Sequence, residues 1–240
     1  MTVISGNRGP GLQAAMALLV SSACAPLHAE APATGVESAH ADLQARLPVT
    51  AEELMPLEAR HGVYLVTAGA QKGKRVPWTF EQHGNQWVLT KHELARHELH
   101  RDHEGNLLID REIDLREDRQ IEYLSPVTLL PATVDNTTSL KGTTRVVVSH
   151  TRTRSIAYRG VCKWQLDFLG VDAVDTPAGT FPAYRLRATR EIRLPLAQIS
   201  MTIDFEYAPG QGLIATGVDQ TIRSLGLFTE RDIWRLEQLP

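Results

Sequence analysis

The sequence predicts a mostly-β fold, an antiparallel meander that forms a half-barrel or a flattened barrel, with one short helix. Three observations carry this. Residues 161 to 222 alternate polar and apolar side chains with few breaks: Ile199, Met201, Ile203, Phe205 and Tyr207 are apolar, and Ser200, Thr202, Asp204 and Glu206 between them are polar. Successive strand side chains point to opposite faces, so one face is buried and the other wet. Cys162, Trp164, Leu166 and Phe168 repeat the pattern against Lys163, Gln165 and Asp167. Tyr184, Leu186, Ile192 and Leu194 do so against Arg185, Arg187, Thr189, Glu191 and Arg193. Turns rich in Gly, Pro and Asn separate these segments at short intervals. Consecutive hairpins pair with their chain neighbours, and a long sheet must curl, close or be covered.

The first 29 residues read as an export signal. Arg8 supplies a positive charge, and Leu12 to Val20 a short apolar run. That run is too short to span a membrane. Leu27-His28-Ala29 suits cleavage before Glu30; Ser22-Ala23-Cys24 is a rival site resembling a lipoprotein box, in which Cys24 would be lipidated. The first route gives a soluble periplasmic protein, the second one anchored to the outer membrane. Residues 30–47, rich in Ala, Pro, Ser and Gly, read as a linker. Residues 48–240 then form a single antiparallel β domain, of a size common for one all-β unit.

Within that domain, Thr50 and Glu53 have capping-box spacing, which predicts a helix over Ala51 to Arg60. Strands follow at Gly62–Ala68, Arg75–Gln82 and Gln86–Glu93, with Gly69–Gly73 and His83-Gly84-Asn85 as turns. Leu94–His103 and Leu107–Leu115 flank Glu104-Gly105-Asn106, another hairpin signal. Pro126 and Pro131 each remove a ladder donor, so Tyr123–Val134 reads as an edge or a crossing loop. Asn136-Thr137-Thr138 reads as loop. Long strands, Thr143–Ile156 and Val161–Ala173, are expected around Arg159-Gly160. Thr180–Leu194, Ile199–Tyr207 and Leu213–Ile222 come next. Asp232–Leu239 reads as a last strand or a short helix. The total is about nine to eleven strands.

Two turn strings carry a resemblance. Val174-Asp175-Thr176-Pro177-Ala178-Gly179-Thr180-Phe181-Pro182-Ala183 and Tyr207-Ala208-Pro209-Gly210-Gln211-Gly212-Leu213-Ile214 resemble turns of a bacterial envelope family of unknown function. That family is similar in fold to the lipoprotein-carrier half-barrels of the LolA and LolB kind. The match covers roughly residues 160 to 225 and implies fold and compartment rather than activity. Physically, both strings set hairpin register, since Pro fixes φ and Gly takes conformations that other residues avoid.

The net charge of −3 offers no basic footprint for nucleic acid. No segment after the leader reaches the ~20 apolar residues of a membrane-spanning helix. No nucleophile elbow, phosphate loop or dinucleotide fingerprint is present, and the chain reads as non-enzymatic with no cofactor. His92, His97, His100 and His103 place four of the nine histidines within twelve residues. His97, His100 and His103 are therefore candidate metal ligands, although alternation on a strand splits them between two faces. Cys162, on an apolar row, reads as a buried, inert thiol. Arg185, Arg187 and Arg193 are expected to face Asp204 and Glu206 across neighbouring strands.

The leading expectation is an exported periplasmic protein that binds a lipid or other hydrophobic small molecule on an apolar face comprising Trp164, Phe168, Tyr184, Met201, Phe205 and Tyr207. Burying an acyl chain gains about 0.8 kcal/mol per methylene and leaves little motif behind. The alternatives are an envelope adaptor that engages a protein partner, and a metal-binding protein using the His92–His103 hairpin.

Overall fold

A computed structural model describes residues 41–240 of the chain. The expected leader, Cys24 and the first part of the linker lie outside the described residues. Fourteen strands run in chain order: β1 Val49–Thr50, β2 Arg60–Ala68, β3 Arg75–His83, β4 Gln86–Lys91, β5 Ala95–Arg101, β6 Leu107–Asp114 and β7 Arg119–Leu130; then β8 Thr133–Val134, β9 Ser139–His150, β10 Ile156–Thr176, β11 Gly179–Leu194, β12 Ala197–Ala208, β13 Gly212–Ser224 and β14 Phe228–Gln238. Twelve of them form a closed antiparallel barrel, while β1 and β8 pair apart from it. Around the barrel each strand neighbours the next in sequence, and β14 closes on β2 through pairs such as Leu236↔Val66 and Gln238↔Tyr64. Closure distinguishes this sheet from an open half-barrel, although β7 meets β9 only over Arg119–Tyr123 and β14 meets β2 only over Arg235–Gln238.

The hairpin signals act as expected. His83 pairs with Gln86 around Gly84-Asn85, and Gly84 has φ +65°. A two-residue loop with positive φ at its first position matches the strand twist, and glycine reaches that conformation without strain. Elsewhere the expectations need correction. The helix spans only Ala51–Leu54, although its capping box forms: the Glu53 amide donates to Thr50 Oγ1 and the Thr50 amide to Glu53 Oε2. Tyr123–Leu130 belongs to β7. Pairing of β7 with β9 runs from Arg119↔His150 to Tyr123↔Val146, so Pro126 sits where that side has no ladder donor to lose. Arg159-Gly160 lies inside β10, and the β9–β10 turn falls at residues 151–155. Residues 232–238 are strand.

The alternation sorts the barrel into a greasy inside and a charged outside. Tyr184, Leu186, Ala188, Arg190 and Ile192 are buried, while Arg185, Arg187 and Glu191 between them remain in contact with solvent. Outside, Arg187 makes a two-point contact with Asp204 at 2.6 and 3.0 Å, and Arg235 reaches Glu206 at 2.5 Å. Arg185 lies 3.8 Å from Glu206, but Arg193 bonds Glu191 on its own strand instead of a facing acid. An apolar lumen with a charged exterior is the inverse of a lipid-spanning barrel. Among the described residues no helix is long and apolar enough to cross a membrane.

The barrel has a plug end and a tip end. At the plug end the segment before β2 is tucked under the turns. Leu43, Val49, Ala51, Leu54 and Met55 join the main core, Tyr184 Oη donates to the Leu43 carbonyl at 3.1 Å, and the Ala51 amide donates to the Ala132 carbonyl at 3.0 Å. The stretch read as linker is therefore part of the packed unit from residue 41, with residues 41–45 helical. At the tip end lie the β2–β3, β4–β5, β6–β7, β9–β10, β11–β12 and β13–β14 turns.

Candidate functional site

The tip-side half of the lumen contains a cluster of buried charge. Glu112 points inward from β6 and meets Arg190, which points inward from β11 and is 4% exposed. In the barrel order β7, β9 and β10 stand between those two strands, so the pair bridges the lumen between walls a third of the way round the barrel from each other. Tyr123 on β7 completes the bridge: its hydroxyl donates to Glu112 Oε2 at 2.9 Å and accepts from Arg190 Nη1 at 3.2 Å. The Arg190 guanidinium also lies 5.8 Å from the centre of the Tyr123 ring. His97 Nδ1 is 3.6 Å from Glu112 Oε1.

Lys91 stands out within this cluster. It ends β4 on the inward row, opposite Trp78 and Ala95, and is 5% exposed. Its ammonium sits 5.6 Å from the centre of the Trp234 ring, a cation–π contact. Among the described residues its ammonium makes no ion pair, although the nearby Glu112 charge acts on it, and Arg190 Nε has no hydrogen-bond partner. With Glu112 matched by Arg190, this cluster carries one cation in excess among the described residues.

The titration shifts agree with this geometry. Burial pulls Lys91 down to about 8, opposed in part by the charge of Glu112. Burial would raise Glu112, but the Arg190 charge and the His97 contact hold it well below the usual carboxylate range. Burial lowers His97 against the opposing pull of Glu112, so the ring is predominantly neutral at pH 7. Cys162, fully buried beside this cluster, is pushed up to about 11 by burial and stays a thiol. Its place matches the inert role expected of it.

The six expected ligand-face residues all fall within or against the one main core, and register arranges them in two groups. Trp164 pairs with Arg190, which pairs with Met201, so these two flank the charged cluster. Tyr184 pairs with Tyr207, and Phe168 and Phe205 flank Leu186; the Phe168–Tyr184 and Phe205–Tyr207 ring centroids are 6.4 and 6.1 Å apart. This second group packs toward the plug end. Two indoles lie over glycines of neighbouring strands: a β-carbon on Gly142 would come within 2.6 Å of Trp164, and one on Gly62 within 2.8 Å of Trp78.

The expected metal ligands are not brought together, which corrects that expectation. Alternation along β5 turns His97 inward and His100 outward, where His100 Nδ1 bonds Asp110 at 2.7 Å. His103 lies in the turn beyond β5, exposed near Glu104. Among the described residues no group of three His, Cys, Asp or Glu side chains could hold a metal ion. A concavity of about 880 Å³ along β9–β14 is lined by Trp164, Arg190 and Met201 together with the polar Lys163, Glu191 and Thr221.

Sequence reasoning missed Lys91, Glu112 and Arg190. The signal was present: Arg190 interrupts the apolar row Tyr184–Leu186–Ala188–Ile192, and Lys91 ends the row begun by Trp87 and Leu89.

No protein-family model and no curated protein matches the chain. Among solved structures it is similar to the hypothetical lipoprotein YmcC from Escherichia coli (12% identity, TM-score 0.42, covering 89% of this chain and 98% of that one). It is similar also to a lipoprotein candidate from Parabacteroides distasonis (15%, 0.39, 78% and 98%) and to a candidate exported protein with a YmcC-like fold from Bacteroides fragilis (13%, 0.37, 78% and 97%). At these scores the likenesses assign neither family nor function.

Proposed function

We propose that this chain is an exported, periplasm-facing, non-catalytic protein that binds an anionic amphiphile in the tip-side lumen. The apolar part of the ligand lies along Trp164 and Met201, and its acidic head meets Lys91. The export reading rests on the leader-like first 29 residues. The single observation carrying the ligand reading is Lys91, buried and without an ion-pair partner among the described residues, beside a Glu112–Arg190 pair that is already matched. An uncompensated buried charge costs several kcal/mol, and a bound carboxylate or phosphate would remove that cost. The charged exterior leaves the lumen as the place for an apolar tail.

Tryptophan fluorescence tests this, because Trp164 and Trp234 adjoin the cluster. Titration with a long-chain carboxylate is expected to saturate, and the uncharged alcohol of equal chain length is expected to bind at least about tenfold more weakly. Lys91→Met is expected to erase the difference between the two. Equal binding of acid and alcohol by the parent chain, or no saturable response to either, contradicts the proposal.

A further inference from the structure

The tip end has a second character, independent of the lumen. Ile156 and Tyr158 beside the β9–β10 turn, Leu196 in the β11–β12 turn, and Leu225, Leu227 and Phe228 at the β13–β14 turn are all exposed; Leu227 reaches 82% and Phe228 61%. Topology puts these turns at one end, and the Leu225 amide donates to the Leu196 carbonyl at 2.8 Å, tying two of them together. Leu225 holds φ +53°, a conformation that favours glycine or asparagine. The tip thus carries an apolar side chain where the backbone prefers none.

Charge accompanies the apolar tips. Segments 150–160, 193–198 and 223–231 contain Arg152, Arg154, Arg159, Arg193, Arg223 and Arg231 against one acid, Glu230. Arg152, Arg193 and Arg231 are matched by Asp118, Glu191 and Asp219. Arg154, Arg159 and Arg223 have no ion-pair partner among the described residues. Separate protruding apolar points ringed by unmatched arginines suit a soft, negatively charged surface into which each point can sink. A protein partner would need a continuous complementary patch of roughly 1,000 Å².

We infer that the tip end docks on the anionic headgroup surface of a lipid bilayer, inserting the β11–β12 and β13–β14 turns while Arg154, Arg159 and Arg223 contact phosphates. This does not rest on the lumenal-ligand reading. It is tested by co-sedimentation of the full chain carrying Cys24→Ser, so that no acyl anchor contributes. The vesicles are phosphatidylglycerol with phosphatidylethanolamine, or phosphatidylcholine alone.

The chain is expected to sediment with the anionic vesicles, less at high salt, and to stay in solution with phosphatidylcholine. Leu227→Asp with Phe228→Asp, and separately Arg154→Glu with Arg159→Glu, are each expected to lower partitioning at least about tenfold. Lys141→Glu with Lys163→Glu, at exposed positions of β9 and β10 away from these turns, is expected to leave it unchanged. All six positions lie on the surface, and circular dichroism verifies that each variant is folded. Absence of sedimentation with anionic vesicles, or tip variants that partition like the parent, overturns the inference. So does a dimer in solution that the Leu227→Asp and Phe228→Asp pair dissociates without changing vesicle binding.

Discussion

At the scale of single residues, the lumen is governed by what burial does to charge. Lys91 has a folded-state pKa near 8 against an ordinary value of 10.5. Between those values the unfolded chain holds more protons than the folded one, so stability rises with pH from about 8 to 10.5 and is lowest below 8. The gap corresponds to about 3 kcal/mol as an order of magnitude. Lys91→Met is therefore expected to raise the thermal midpoint at pH 7 and abolish this alkaline rise; a lower midpoint in the variant would contradict the assignment of Lys91 as an unmatched buried cation. His97 acts in the same direction at lower pH. Its depressed pKa means that stability falls as pH drops below about 6.5 and the ring is forced to charge.

The Glu112–Arg190 pair makes a different prediction. Arg190→Met alone leaves a buried carboxylate and is expected to cost about 3–5 kcal/mol, whereas Arg190→Met with Glu112→Leu is expected to recover most of it. Chemical denaturation of the parent, the two single variants and the double variant measures this; a double variant no better than the singles would sink the view that the pair is a self-contained charge bridge.

At the scale of elements, the strands repeat one device, alternation, and the departures from it mark what is particular to this protein. Most of the strands were legible because Val, Ile, Phe and Tyr recur at every second position between Gly and Pro turns. The meander followed from hairpin spacing. The extent of the β9–β10 hairpin was not legible: Arg159-Gly160 looks like a turn, yet Gly160 is a strand glycine against which the Arg193 carbonyl packs too closely for a side chain. The capping box correctly gave the start of the helix, and its stop after one turn is marked by Pro56, which disfavours helical backbone at Met55 and which the expectation of a helix to Arg60 overlooked. Alternation also gave the split of His97 from His100, and with it the failure of the metal site. Glycines facing tryptophans are a further device of this scale. Gly142→Ala is expected to displace the Trp164 indole and destabilise the fold by about 1–3 kcal/mol, with a shift in tryptophan emission. Unchanged emission and stability would show that the β9–β10 wall is looser than the 2.6 Å approach implies.

At the scale of the whole molecule, closure and polarity decide what the protein can do. Closure joins β14 to β2 across nearly the full length of the described residues, and no local pattern announces such a pairing. The same holds for the cross-lumen bridge, because which inward charges meet depends on the closed order of strands rather than on spacing along any one of them. The result is a barrel plugged at one end by the segment before β2, charged outside, aromatic inside, with its unmatched cation in the other half. The candidate ligand face was legible as an apolar row, but its chemical preference was not, since that lies in the charges that interrupt the row. The central claim is that this lumen receives an acidic amphiphile. Native mass spectrometry of the protein purified from its own envelope fraction tests it most directly. An excess mass matching a lipid or fatty acid with an anionic group, lost in Lys91→Met, is the predicted result; a mass equal to the bare chain, or a bound molecule without an acidic group that Lys91→Met retains, would contradict it.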